Sequence, residues 1–218
     1  QLQRLPVPQP SVKQQVEQTL RRTLQSITEA NQLRGHGAPV YGVTFSPDGR
    51  YLASASWDNT LKLWHANGQL ITTLSGHTSA VWDVAFSPDS EYLLSASADS
   101  TAKIWPINYN SDLPNVVAPP ITLVGHQGRV NDIDISLDSQ TLVTGGEDGH
   151  LRFWDRTGKL LLDIPAHNAS VSQVAISPNG FILATASEDN TIKLWEATSG
   201  RLLNTLTDHQ APVYGLAF

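Results

Sequence analysis

The spacing of apolar residues changes near residue 30. Upstream of it, Val12, Val16, Leu20, Leu24 and Ile27 recur at intervals of four, four, four and three, with glutamine, lysine, arginine and glutamate between them. That period describes one stripe of an α-helix, and Ser11 stands where an N-cap would accept the first free N–H groups. The preceding QLQRLPVPQP holds three prolines. Residues 1–30 are therefore expected to be a linker followed by an amphipathic helix.

From Asn31 onward the period is two. Val43 and Phe45, then Leu52 and Ser54, then Leu61 and Leu63, then Leu70, Thr72 and Leu74 mark four short strands. Ser46-Pro47-Asp48-Gly49 joins the first pair with proline and glycine where a type I turn places them. Asp58-Asn59 makes the next tight connection, matched downstream by Asp99-Ser100, Asp148-Gly149 and Asp189-Asn190. Four antiparallel strands per unit, repeated radially, describe a propeller blade.

The repeat itself is carried by polar residues. A histidine precedes an aspartate by 22 residues four times: His36 and Asp58, His77 and Asp99, His126 and Asp148, His167 and Asp189. A tryptophan follows each aspartate by six (Trp64, Trp105, Trp154, Trp195), and a hydroxyl precedes it by four (Ser54, Ser95, Thr144, Thr185). A period of 41 to 49 residues makes the chain an array with a common core rather than two unrelated domains.

With Gly35-His36, Gly76-His77 and Gly125-His126, the turns SPDG, SPDS and SPNG, and the tripeptides LWH, IWP, FWD and LWE, residues 31–218 resemble the tryptophan-aspartate (WD) repeat β-propellers. Departures are local: Ala166-His167 and Asp208-His209 lack the glycine, and Trp64, Trp105 and Trp195 are followed by residues other than aspartate. The resemblance implies an all-β fold of four complete four-stranded blades at about 36–75, 77–124, 126–165 and 167–207, with a fifth beginning at 209–218. It also implies flanking single strands, Asn31–Arg34 and Ala211–Phe218, and membership of a seven-bladed ring, for which about 120 further residues are expected. A chain that starts at Gln1 and contains no methionine is expected to be a piece of a longer one.

Histidine, aspartate and hydroxyl together are also the components of hydrolytic machinery. Repetition argues against that use, because an enzyme needs one activated nucleophile, and two of these four sets use threonine. The resemblance implies instead a buried chain of hydrogen bonds from indole through hydroxyl and imidazole to carboxylate in each blade. One histidine per blade also leaves these side chains too far apart to share a metal ion, so neither metal nor cofactor is expected.

Two tryptophans stand outside the repeat, Trp57 and Trp82. In the resembling fold both positions open onto one face at the mouth of the central channel, with Tyr41 and Tyr214 equivalent to Trp82 in other units. Asn131, Glu147, Ser172 and Glu188 occupy the same positions in units three and four, with Arg129 beside them. Exposed aromatics with charged neighbours suit a protein or peptide partner. Packing of Trp57 and Trp82 on each other between blades is the other reading.

Composition narrows the partner further. Fourteen basic against twenty acidic residues give a net charge of −6 with no basic cluster, so nucleic acid is not the expected partner. No apolar run approaches the roughly 20 residues of a membrane helix and no cysteine is present, which fits a soluble, cytoplasmic protein. Twenty-one residues separate Trp105 from His126, against thirteen between Trp64 and His77, so PINYNSDLPNVVAPP (106–120) carries an insertion expected to be a surface loop. The first functional expectation is a non-enzymatic interaction scaffold. The second is a regulatory or sensor region of a larger bacterial signalling protein, such as a nucleotide-hydrolysing one, and a hydrolase is a remote third. Open blade faces also admit self-association.

Overall fold

The computed structural model describes residues 33–108, 115–116 and 118–218. The expected linker and helix, and Asn31 and Gln32 of the expected first strand, lie outside the described residues. Leu33 and Arg34 carry no strand.

Four antiparallel sheets follow one another along the chain. The first holds β1 (Val40–Phe45), β2 (Tyr51–Ser56), β3 (Thr60–His65) and β4 (Leu70–Ser75). The second holds β5 (Val81–Phe86), β6 (Tyr92–Ser97) and β7 (Thr101–Asn108), with both β8 (Asn115–Val116) and β9 (Ile121–Val124) paired to β7. The third runs β10 (Val130–Ile135), β11 (Thr141–Gly146), β12 (His150–Asp155) and β13 (Leu160–Pro165). The fourth runs β14 (Val171–Ile176), β15 (Ile182–Ser187), β16 (Ile192–Glu196) and β17 (Leu202–Leu206). Sequential order in every sheet, with the first strands β1, β5, β10 and β14 packed against one another in turn, is the arrangement of successive propeller blades.

Turn chemistry explains the strand ends. The Ser46 carbonyl accepts from Gly49 N–H at 2.8 Å, the Ser46 hydroxyl donates to Asp48, and Tyr51 N–H returns to the Ser46 hydroxyl at 3.0 Å. The same construction recurs at Ser136, although Leu137 replaces the proline there. Tight turns before β3, β7, β12 and β16 need a left-handed residue, supplied by Asn59, Ser100, Gly149 and Asn190 at φ of 68°, 69°, 74° and 68°.

The core sits between sheets, so the second strands are covered on both faces. Every residue of β2 and β6 is buried, which is why YLASAS and YLLSAS show no clean alternation. Ala53, Ala55, Leu61 and Leu63 of the first sheet meet Val81, Val84, Phe86 and Leu93 of the second. Analogous clusters bind the second sheet to the third and the third to the fourth.

Two expectations about extra segments change. Residues 211–218 form no strand, because a strand is defined by a hydrogen-bonded neighbour and none of the described residues pairs with them. They lie instead along the fourth sheet, where Val213 N–H donates to Ser187 O (3.0 Å) and Leu216 N–H to Gln173 Oε1 (2.6 Å). The insertion is more than a loop. β7 continues through Ile107 and Asn108 to pair with Val116 and Asn115, and only then does β9 take the outer position.

Candidate functional site

The repeated polar residues meet inside their sheets. Trp64 Nε1 donates to Ser54 Oγ at 2.8 Å, Ser54 Oγ lies 2.7 Å from His36 Nε2, and His36 Nδ1 lies 2.9 Å from Asp58 Oδ2. The indole can only donate, so the hydroxyl proton goes to Nε2 and Nδ1–H faces the carboxylate. Trp105, Ser95, His77 and Asp99 repeat the chain at 2.9, 2.8 and 2.8 Å. Trp154, Thr144, His126 and Asp148 do so at 3.0, 2.8 and 2.9 Å, and Trp195, Thr185, His167 and Asp189 at 3.0, 2.7 and 2.9 Å. Each hydroxyl therefore bonds on both sides and is buried.

The carboxylate ends anchor the tight turns. Asp58 accepts from Gly37 N–H, Thr60 N–H and the Thr60 hydroxyl at 2.8, 3.0 and 2.6 Å. Burial opposes its ionisation, but these donors and His36 outweigh it and hold the carboxyl well below the usual range. Asp189 sits at about 2 by the same balance between burial and its donors Thr191 and His167. Burial pushes the imidazoles of His77, His126 and His167 down, against the pull of their aspartates, so they stay neutral.

The third sheet is built differently. His150 stands where Thr60, Thr101 and Thr191 supply a hydroxyl to the other aspartates, and Arg152 replaces Lys62, Lys103 and Lys193. Arg152 Nη1 donates to Asp148 Oδ2 at 2.8 Å, restoring the missing donor, while its Nη2 reaches Asp163 of β13 at 3.2 Å. Sequence spacing alone gave no sign of this exchange.

Four of the nine expected face residues share one origin. In each first strand the pairing register skips one residue: Tyr41 between Val40 and Gly42, Trp82 between Val81 and Asp83, Asn131 between Val130 and Asp132, and Ser172 between Val171 and Gln173. A bulge turns its extra side chain out of the ladder. Trp57, Glu147 and Glu188 enter beside these bulges on the tight turns, each N–H held by the chain before the first strand: Trp57 to Pro39 O (2.9 Å), Glu147 to Arg129 O (2.8 Å) and Glu188 to Ser170 O (3.0 Å).

The aromatic residues form one cluster. Tyr41 lies 4.6 Å from Trp82 and 5.8 Å from Trp57 between ring centroids, and the two indoles are 5.5 Å apart and nearly perpendicular. Trp57 remains 51% exposed, so it both packs on Trp82 and faces solvent. Arg129 stacks on Trp82 at 5.6 Å and forks onto Glu147 at 3.3 and 3.4 Å. That pairing holds Glu147 below its usual range, chiefly through the Arg129 N–H.

Beside the cluster a cavity of about 300 Å³ is lined by Trp82, Arg129, Asn131, Ser172, Glu188 and Tyr214. Trp82 Nε1 and Ser172 Oγ are buried with no hydrogen-bond partner among the described residues. Asn131 has a structural task as well, donating to Ser170 Oγ (2.8 Å) and Val171 O (2.9 Å) of the next sheet.

Comparison with known proteins gives a single picture. The family model described as WD domain, G-beta repeat matches residues 27–65, 68–106, 118–155 and 158–196. Each of the last three matched segments opens before the outer strand of one sheet and ends at the third strand of the next. Similar curated proteins include Ribosome assembly protein 4 of Saccharomyces cerevisiae, 47% identical over 51 residues, 23% of this chain and 10% of that one. Transcription initiation factor TFIID subunit 5 of Caenorhabditis elegans is 46% identical over 46 residues, 21% of this chain and 7% of its own length. Guanine nucleotide-binding protein subunit beta of S. cerevisiae is 52% identical over 33 residues, 15% and 8%. The matched stretches thus span a tenth or less of these relatives.

Proposed function

The chain belongs to the WD domain, G-beta repeat family, and from that premise we propose that it is a non-enzymatic scaffold binding a protein or peptide through the face that carries Tyr41, Trp57, Trp82 and Arg129. The observation that supports this most is the exposure of a stacked aromatic cluster on the strand bulges and the adjoining tight turn, next to a cavity with two buried polar atoms that have no partner among the described residues. Large rigid aromatics flanked by charge are what hot spots are made of. By name, two of the relatives above are subunits, of transcription initiation factor TFIID and of a guanine nucleotide-binding protein, and the third is a ribosome assembly protein, which agrees with this reading. A peptide that lays an apolar side chain on Tyr41 and Trp57 and carries a basic residue toward Glu188 fits best, since Glu147 already has Arg129. The repeated serine and threonine hydroxyls do not compete for catalysis, being buried and bonded to indole and imidazole at once.

The four sheets are read as blades of a closed ring, seven being the family expectation. Val43 and Phe45 of β1 are 58% and 61% exposed, whereas Val84 and Phe86, their equivalents in β5, are 3% and 8% exposed. A further blade would cover β1 as the first sheet covers β5.

The test is a selection of binding peptides from a displayed random library, followed by titration against Trp57→Ala, Tyr41→Ala and Arg129→Ala. Selected peptides are expected to lose about tenfold or more in affinity for Trp57→Ala while its unfolding midpoint stays near that of the parent. Equal binding to all three variants would place the interface elsewhere.

A further inference from the structure

At the opposite end of the strands from Tyr41 and Trp57, the turns that join first to second strands close one gap between sheets and leave the next one open. The closure between the second and third sheets has three parts. Tyr92, the first residue of β6, is 3% exposed and donates its hydroxyl to Ser139 O at 2.9 Å. Ser139 Oγ accepts from Asp89 N–H at 3.1 Å. Arg156 of the third sheet lies over the Tyr92 ring at 5.9 Å and reaches Glu91 Oε2 at 2.5 Å and Asp89 Oδ2 at 3.8 Å. The tyrosine is thus held at its hydroxyl, while a cation covers its ring and pairs with the carboxylates beside it.

One sheet further on, each of those positions carries a smaller residue. The strand register fixes the equivalence: Thr141 pairs with Asp155 as Tyr92 pairs with Pro106, and the Thr141 carbonyl accepts from Ser136 N–H (2.8 Å) as that of Tyr92 accepts from Ser87 N–H (3.0 Å). Thr141 therefore stands for Tyr92, Gly180 for Ser139 and Ala197 for Arg156. All three line a cavity of about 350 Å³ between the third and fourth sheets, together with Leu137, Ile176 and Asp138. Leu137 takes the place of Pro47, Pro88 and Pro178 in its turn and is 68% exposed; Phe181, next to Gly180, is 70% exposed where the other sheets put Arg50, Glu91 and Gln140. Neither exposure comes from an uncovered end of the array, because the third sheet is flanked on both sides and the Phe181 position is exposed in all four sheets. Asp138 keeps the place of Asp89, but Ala197 brings no charge to it.

We propose that this cavity is a docking site for a tyrosine side chain of a partner peptide in which a lysine or arginine stands next to that tyrosine. The ring takes the place that Tyr92 takes one sheet earlier, and its hydroxyl donates to Gly180 O as that of Tyr92 donates to Ser139 O. The neighbouring cation meets Asp138 and covers the ring, the two tasks that Arg156 performs for Asp89 and Tyr92. A carboxylate there would be repelled by Asp138. Leu137 and Phe181 supply apolar contact at the rim. The inference is separate from the aromatic face, which lies at the other end of the strands, and stands whichever partner that face takes.

The test is an amide NMR titration of the parent with p-cresol, acetyl-Tyr-Arg-amide and acetyl-Tyr-Glu-amide. Saturable shifts are expected at Leu137, Thr141, Gly180 and Ala197, with acetyl-Tyr-Arg-amide binding about fivefold tighter than acetyl-Tyr-Glu-amide. Thr141→Tyr, which supplies the ring from within, should abolish binding of all three in a folded protein. Asp138→Asn keeps the turn, since Asn179 accepts the same bond from the Ser177 hydroxyl at 2.7 Å in the fourth sheet. That variant should bind p-cresol as the parent does and lose the preference for arginine. Absence of saturable shifts at these amides in the parent overturns the proposal, whether or not Thr141→Tyr folds. So does undiminished binding to a folded Thr141→Tyr, or acetyl-Tyr-Glu-amide binding the parent as tightly as acetyl-Tyr-Arg-amide.

Discussion

His77 shows what a single residue contributes. Its ring accepts from Ser95 and donates to Asp99, both buried or nearly so, and removing it takes the acceptor from the buried Ser95 hydroxyl and one donor from a carboxylate that keeps Thr78 and Thr101. His77→Ala is expected to lower stability by about 1–3 kcal/mol in urea unfolding, the cost of breaking into a buried hydrogen-bonded chain. The same network fixes the response to acid. Asp58, Asp99, Asp148 and Asp189 are held below 3.8, so their contribution is complete above about pH 4 and is lost as pH falls through the folded values, near 2 for Asp189. His77, His126 and His167 are held below 6.5, so the unfolded chain takes their protons first and stability already declines as pH drops below 6.5. Melting temperature should therefore fall in two stages on acidification, one near histidine titration and one near carboxylate titration. A single stage confined below pH 4 would remove the histidines from the network.

Within the elements, the tight turns carry the sharpest prediction. Asn59 holds a left-handed φ of 68°, which a β-branched side chain resists. Asn59→Val should cost about 1–3 kcal/mol, while Asn59→Gly should be tolerated, and thermal unfolding of the pair distinguishes backbone strain from loss of the side chain. These turns were legible in the sequence because asparagine, serine and glycine recur at one register beside the aspartate. So were the strands, through period two, and the indole, hydroxyl and imidazole through their fixed spacing. The bulges were not. One unpaired residue leaves the apolar period of VWDVAF or VYGVTF almost unchanged, and only the pairing register shows that Trp82 and Tyr41 are turned outward. Arg152 escaped for the opposite reason: a repeat draws attention to what recurs, and Arg152 differs from its equivalents in the other sheets, Lys62, Lys103 and Lys193.

At the scale of the whole molecule, sheets hold one another through equivalent positions in unequal surroundings. Phe86 is packed between the first and second sheets, and Phe86→Ala should cost about 3–5 kcal/mol. Phe45, its equivalent on β1, is largely exposed, and Phe45→Ala should stay within about 0.5 kcal/mol of the parent. The repeat and the face then separate by role, with recurring polar residues holding each sheet and non-recurring aromatics proposed to meet a partner. Paired equilibrium unfolding of His77→Ala and Trp57→Ala tests that division most directly. The expected result is a loss of about 1–3 kcal/mol for His77→Ala and less than about 1 kcal/mol for the half-exposed Trp57→Ala. Equal losses, or a His77→Ala protein as stable as the parent, would contradict it.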